Sequence, residues 1–315
     1  MPEGRLREVL AAATERLRVS GSETARLDAE VLLADVLRTD RTGVLAHPEA
    51  PIGPAQRAAF GDALARRERG EPVAYVRGLK EFYGLAFSVD PRALIPRPET
   101  ELLVEFAVSR AAGLLTGRRW RPERGPLRVV DLGTGSGAVA IAMIATLRRR
   151  GFGGVLDVLA TDASAAAVDL ARENAAAHGL ADALRFWAGD LLPDDEPPFD
   201  LVVANLPYIP SDEIDALPVA ASFEPRSALD GGPDGLAVIG RLIALLAART
   251  SDLGTALLEI GPHLREGTER LAAEHLPGWR LAFHDDLGRR LRVAELVRPA
   301  EPVRPGELVR PAAVG

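Results

Sequence analysis

The chain has no cysteine, which excludes disulfides, thiolate-bound zinc, iron–sulfur clusters and a thiol nucleophile. Histidine is scarce too, and its five residues show no HExxH-like spacing, so no metal is expected. Long apolar runs are missing: the longest, AVAIAMIA from Ala138 to Ala145, falls far below the roughly 20 residues a helix needs to cross a bilayer. The N-terminus, MPEGRLREVLAAATERL, mixes charged and apolar residues where a secretory signal would carry an unbroken apolar core. A cytoplasmic protein without membrane attachment is expected. Lys80 is the only lysine among 38 basic side chains, a pattern that reflects GC-rich coding and carries no function. The net charge of −7 speaks against stable nucleic-acid binding through phosphates, which needs a basic face.

What is present is ordinary for a globular protein: 315 residues, 47% apolar and 26% charged, enough for roughly two domains. Residues 1–72 read as a small helical domain with helices at Pro2 to Val19, Ser22 to Arg38 and Pro54 to Arg69, Ser22 serving as N-cap and Pro54 as a helix start. Leu27, Val31, Leu32, Val36 and Leu37 supply the apolar face of the second. Residues 73–101 change texture to Gly, Pro and aromatics and read as a linker, with EFYGLAFSVD forming a hairpin. Residues 102–298 alternate strands and helices, which implies a Rossmann-like, doubly wound α/β fold. Its mostly parallel seven-stranded sheet ends in two strands with no helix between them, so one is antiparallel at an edge. Residues 299–315 repeat Val-Arg-Pro and read as a Pro-rich disordered tail.

The chemistry gathers at strand ends. DLGTGSG leaves the first strand with glycines at 133, 135 and 137, so a ligand can lie against bare backbone from Gly133 through Thr134, Gly135 and Ser136 to Gly137 at a helix N-terminus. The spacing is GxGxG and not the dinucleotide GxGxxG, which favours adenosylmethionine. Asp162 ends the second strand, where a carboxylate can accept both ribose hydroxyls; alternatively it caps the next helix. Asp190 ends the third, suited to an adenine amino group, with Leu191 beside it to pack on the ring. The fourth delivers Asn205, Leu206, Pro207 and Tyr208. This tetrapeptide suits methylation of a planar NH2 group, whose delocalised lone pair must be aimed at the methyl carbon. The Asn205 side-chain oxygen and the Leu206 carbonyl accept the two N–H hydrogens, Pro207 stiffens the loop and Tyr208 stacks on the planar group. An Asn-initiated turn with a core tyrosine would read the same in isolation.

Together GEPVAYVRGLKEFYG, IPRPETE, VVDLGTGSGAVAIA, VVANLPYIP, FEPRSAL and LLEIG resemble, in order, the release-factor protein-(glutamine-N5) methyltransferases, the PrmC/HemK group. The resemblance implies S-adenosyl-L-methionine as donor, S-adenosyl-L-homocysteine as product, no metal, and the GGQ glutamine of peptide-chain release factors as acceptor. It implies cofactor contacts from the 133–137 loop, Asp162, Leu191 and Asn205, and a glutamine site at Asn205 to Tyr208. Arg97, Glu99 and Thr100 follow as substrate-side candidates, the alternative being a Pro-flanked linker whose Arg and Glu form an ion pair. The helical domain is then a docking unit for the release factor, and the enzyme a monomer. Leu206 departs from the family's usual second proline, and Leu191 from its frequent aromatic. NLPY also suits an adenine amine, so a nucleic-acid adenine-N6 methyltransferase is the competing reading, and a binding module without catalysis a second.

Overall fold

Residues 4–117 and 122–299 are described by the computed structural model; the expected tail lies outside them from residue 300 onward. The described chain forms two compact units. The first holds helices α1 (Leu6–Val19), α2 (Ala25–Leu37), α3 (Arg41–Ala46), α4 (Pro54–Glu68) and α5 (Val73–Arg77). Helices α3 and α5 span 6 and 5 residues, too few to show an apolar period, and α5 falls inside the stretch expected as linker. Leu10, Leu17, Leu33, Phe60 and Leu64 form the core.

Two expectations for α2 are corrected, Ser22 as its N-cap and Leu27 on its apolar face, while Leu32 is buried and Val36 and Leu37 pack against the core as expected. Asp28 is buried and accepts hydrogen bonds from the Ser22 and Thr24 hydroxyls at 2.8 Å and from Arg67 Nε at 2.8 Å. Ser22 therefore holds a carboxylate instead of capping the helix, which starts three residues later. The inward face runs Ala25, Asp28, Ala29, Leu32 and Leu33, and Leu27 is 42% exposed. A satisfied buried charge occupies a position that apolar periodicity reserves for a hydrocarbon. The distant stretch Leu217–Glu224 completes this unit. Gly70 has φ +92 and approaches Val219 so closely that a Cβ there would lie 2.6 Å from its Cγ1.

Strands β1 (Leu79–Phe82) and β2 (Leu85–Ser88) form the expected hairpin. Tyr83 and Gly84 both take positive φ, 51° and 71°, the geometry of a type I′ turn whose twist matches its strands. The second unit continues with α6 (Thr100–Thr116), β3 (Leu127–Leu132), α7 (Ala138–Arg149), β4 (Leu156–Asp162), α8 (Ala165–Ala177), β5 (Leu184–Ala188) and β6 (Phe199–Ala204). It closes with α9 (Ala237–Arg249), β7 (Thr250–Glu259), α10 (Arg265–His275), β8 (Arg280–Asp285) and β9 (Leu291–Val297).

The sheet order is β5-β4-β3-β6-β7-β9-β8. Pairing is parallel from β5 through β7, and β9 runs antiparallel to both neighbours. This is the expected Rossmann-like doubly wound sheet, with the antiparallel strand inserted between β7 and the edge strand β8. Strand β6 is buried along its whole length, apolar except for Asp200, which accepts from the Arg128 amide and the Ser251 hydroxyl. The winding reverses at β3, with β4 on one side and β6 on the other, and that reversal opens a crevice at the carboxyl ends of these strands. Among the described residues no helix is long and apolar enough to cross a membrane.

Candidate active site

Register decides what meets in the crevice. Leu132 pairs with Thr161 on β4 and with Ala204 on β6, so one step further Gly133, Asp162 and Asn205 stand in a row. All three line one cavity of about 380 Å³, within the size range of small-molecule sites. Gly133 has φ +68, and a Cβ there would lie 3.1 Å from the Asn205 carbonyl oxygen and 3.2 Å from Leu206 Cδ2. Glycine is thus needed both for the turn and for the approach of the next strand's loop. Gly137, at φ +81, packs against α8: a Cβ would lie 2.9 Å from Ile141 Cδ1 and 3.2 Å from Ala171 Cβ.

Asp162 does more than end a strand. Its two oxygens accept from the Gly135 and Ser164 backbone amides, each at 2.9 Å, which fixes the glycine turn. The cap of α8 is Ser164, accepting from the Ala167 amide at 3.2 Å. Each carboxylate oxygen keeps a lone pair for a further donor. Burial raises the Asp162 carboxyl above its usual value, against those two amides. Beneath the turn, Asp131 is 2% exposed and accepts from Thr134 Oγ1 at 2.7 Å and the Ala140 amide at 3.3 Å. Burial outweighs both bonds and lifts it to about 7.

Leu191 sits at φ 57, a conformation costing a non-glycine residue about 1–2 kcal/mol. Thr161 Oγ1 holds it there, donating to its carbonyl at 2.9 Å. Asp190 lines the cavity and is ion-paired with Arg241, another lining residue. On the opposite wall, Asn205 Nδ2 donates to Thr100 Oγ1 at 3.1 Å, which leaves Asn205 Oδ1 as the acceptor facing the cavity. The Leu206 side chain is buried in the main core cluster. The loop Asp230–Gly235 braces the tetrapeptide from outside: Ile209 pairs with Asp230, and a Cβ on Gly235 would lie 2.4 Å from the Tyr208 carbonyl oxygen.

Residues 8–78 match the family described as PrmC N-terminal domain, and residues 129–221 the family described as methyltransferase domain. The release factor glutamine methyltransferase of Rhodopirellula baltica is 37% identical over 270 residues, 85% of this chain and 87% of its own. That of Deinococcus radiodurans is 37% identical over 288 residues, 91% of this chain and 96% of its own. The chain belongs to the release factor glutamine methyltransferase family. A third member, from Bradyrhizobium diazoefficiens, is 39% identical over 266 residues, covering 84% of each chain.

In this glutamine methyltransferase most of the residues singled out by sequence come together. Arg97, Thr134, Gly135 and Ser136 line the same cavity as Asp162, Leu191 and Asn205, and so does Pro207. Glu99, Gly137 and Tyr208 are outside its lining. Glu99 pairs with Arg292 at 3.5 Å. Tyr208 packs against the main core, and burial, with the negative charge of Glu259 nearby, raises its phenol to about 12. Two features escape motif reading: Glu259 and the glycine brace at 230–235. The DGGPDG composition of the latter marks it as a tight loop, while Glu259 sits in a strand and carries no local signal beyond LLEIG; Asp131 opens the DLGTGSG motif, and its burial is what the structure adds. Among the described residues no cluster of His, Asp and Glu is arranged to hold a metal.

Proposed function

We propose that this chain transfers a methyl group from S-adenosyl-L-methionine to the side-chain amide nitrogen of the GGQ glutamine of peptide-chain release factors. The observation that carries this reading is the orientation of Asn205: its NH2 end is held by Thr100, so an acceptor oxygen faces the cavity that the glycine turn and Asp162 also line.

The residues present fit the cofactor. The glycine turn gives bare backbone, Asp162 keeps lone pairs for two ribose hydroxyls, and Leu191 offers an apolar surface for an adenine ring. When bound, S-adenosylmethionine supplies an electrophilic methyl carbon on a sulfonium. The chain's own task is to aim the acceptor. Asn205 Oδ1 and the Leu206 carbonyl take the two hydrogens of the glutamine amide and point its lone pair at the methyl. Anchoring the Leu206 side chain in the core gives its carbonyl the fixed direction that a second proline provides in other members. The bond from nitrogen to carbon forms as the carbon–sulfur bond breaks, leaving S-adenosyl-L-homocysteine. The surplus amide proton becomes acidic only as the new bond forms and leaves to solvent, so no strong base is required beforehand.

Mass spectrometry of release factor after incubation with this protein and S-adenosyl-L-methionine tests the reading. One methyl on the GGQ glutamine is expected. Label found only in RNA under the same conditions would overturn it.

A further inference from the structure

A carboxylate that touches neither substrate stands behind the amide clamp. Glu259, the last residue of β7, is 3% exposed. The Thr100 and Tyr208 hydroxyls face it, as do the charged groups of Arg292 and Glu99. Its Oε2 has no close partner among the described residues. It therefore sits where three parts of the site meet: the start of α6, the loop after β6, and β9, which carries Arg292.

A chain of hydroxyl and amide groups can be oriented in two ways. Thr100 Oγ1 has one proton to give. If it gives that proton to Glu259, it must accept from Asn205, and Asn205 then shows its oxygen to the cavity. If Thr100 instead receives a proton from its other neighbour, its own proton turns to Asn205. The Asn205 side chain is then favoured the other way round, with NH2 in the cavity. An NH2 group there meets the N–H of the glutamine amide donor to donor, and the clamp fails. An ionised carboxylate can only accept, so it permits the first orientation alone.

We propose that Glu259 is a positioning residue that, through Thr100, sets which end of the Asn205 side chain faces the methyl acceptor, and that it seats the Tyr208 hydroxyl at the same time. The inference rests on the glutamine methyltransferase reading above. Burial pushes the Glu259 carboxyl up to about 7, opposed by the Thr100 hydroxyl and Arg292 and reinforced by Glu99. Below that value the neutral acid carries its own proton, which it can donate to Thr100. Turnover therefore rises with pH through about 7 as the acceptor-only form takes over.

The test is steady-state kinetics on the full chain with release factor and S-adenosyl-L-methionine, comparing wild type with E259Q. Glutamine keeps the shape but carries an NH2 that can donate to Thr100. The expected result is a kcat lowered about tenfold or more, as small misplacements of a reacting group allow. The KM for the cofactor stays within roughly twofold, since no cofactor contact is removed, and the rise through about pH 7 is lost. Thr100→Val should reproduce the fall in kcat and Thr100→Ser should restore it; this pair decides the matter if E259Q does not fold. In nitrogen-labelled protein the Asn205 side-chain amide signals should shift in both E259Q and Thr100→Val, a readout that needs no turnover. Wild-type kcat and an unchanged pH profile in E259Q, or unmoved Asn205 signals, would overturn the inference. A wild-type protein that leaves the glutamine unmethylated would instead overturn the proposed function, and the Asn205 signals would still judge Glu259.

Discussion

In the proposed reaction Asn205 is the residue on which both substrates converge, and its two ends have separate duties. The NH2 end is fixed by Thr100, and the oxygen end serves the acceptor. Asn205→Ala removes the oxygen without touching the glycine turn or Asp162. Methyl transfer should fall by on the order of 10²–10³-fold, the scale found when one preorganised polar contact to a reacting centre is deleted. Cofactor affinity should stay within roughly an order of magnitude, which calorimetry checks. A mutant turning over near the wild-type rate would remove the amide clamp from the mechanism. At this scale Asn205, Asp162 and the glycines are legible in sequence because their chemistry is written into consecutive residues at strand ends. Glu259 is not, because its importance depends on Thr100 and Tyr208, which lie 159 and 51 positions away and meet it only in the fold. Tyr208 is partly buried and packs against the core, a contact that its motif alone does not announce.

The element that organises the cofactor side is the turn from β3 into α7, and it is built over a buried acid. Asp131 ties the turn down through Thr134 and the first turn of α7. Its carboxyl is raised from 3.8 to about 7. The folded state therefore binds a proton between those values that the unfolded chain has released. Stability from this group is greatest below about pH 4, falls as pH rises and levels off above about 7. Asp131→Asn should flatten that part of the profile, by no more than about 1.4 kcal/mol per pH unit. Thermal melts of both proteins across the window read it directly; parallel profiles would place the titration elsewhere. The long elements of this unit were legible because strand and helix periods alternate without ambiguity. Short helices such as α3 and α5 were not, and Leu27 alone was wrongly placed on the inner face of α2, where pattern gives no sign of the ion pair of Asp28 and Arg67.

At the scale of the molecule, the helical unit is proposed to dock the release factor, and its exposed apolar side chains are where such contact would be felt. Val19 and Leu45 are 75% and 47% exposed. Replacing both with serine should raise the KM for intact release factor about fivefold, as modest interface positions do, and leave the KM for a short GGQ peptide unchanged. Equal shifts for both substrates would remove the docking role. The same unit is assembled from separate stretches of chain: everything up to Lys80, then Val89–Pro91, then Leu217–Glu224. That last stretch begins nine residues after Tyr208 on the loop that follows β6, so the polypeptide leaves the candidate site, contributes to the helical unit, and returns. No single cut in the gene can part the two units: severing after Lys80 strands Leu217–Glu224 on the wrong fragment. A fragment ending at Lys80 would lack part of the helical unit, and the complementary fragment would carry it.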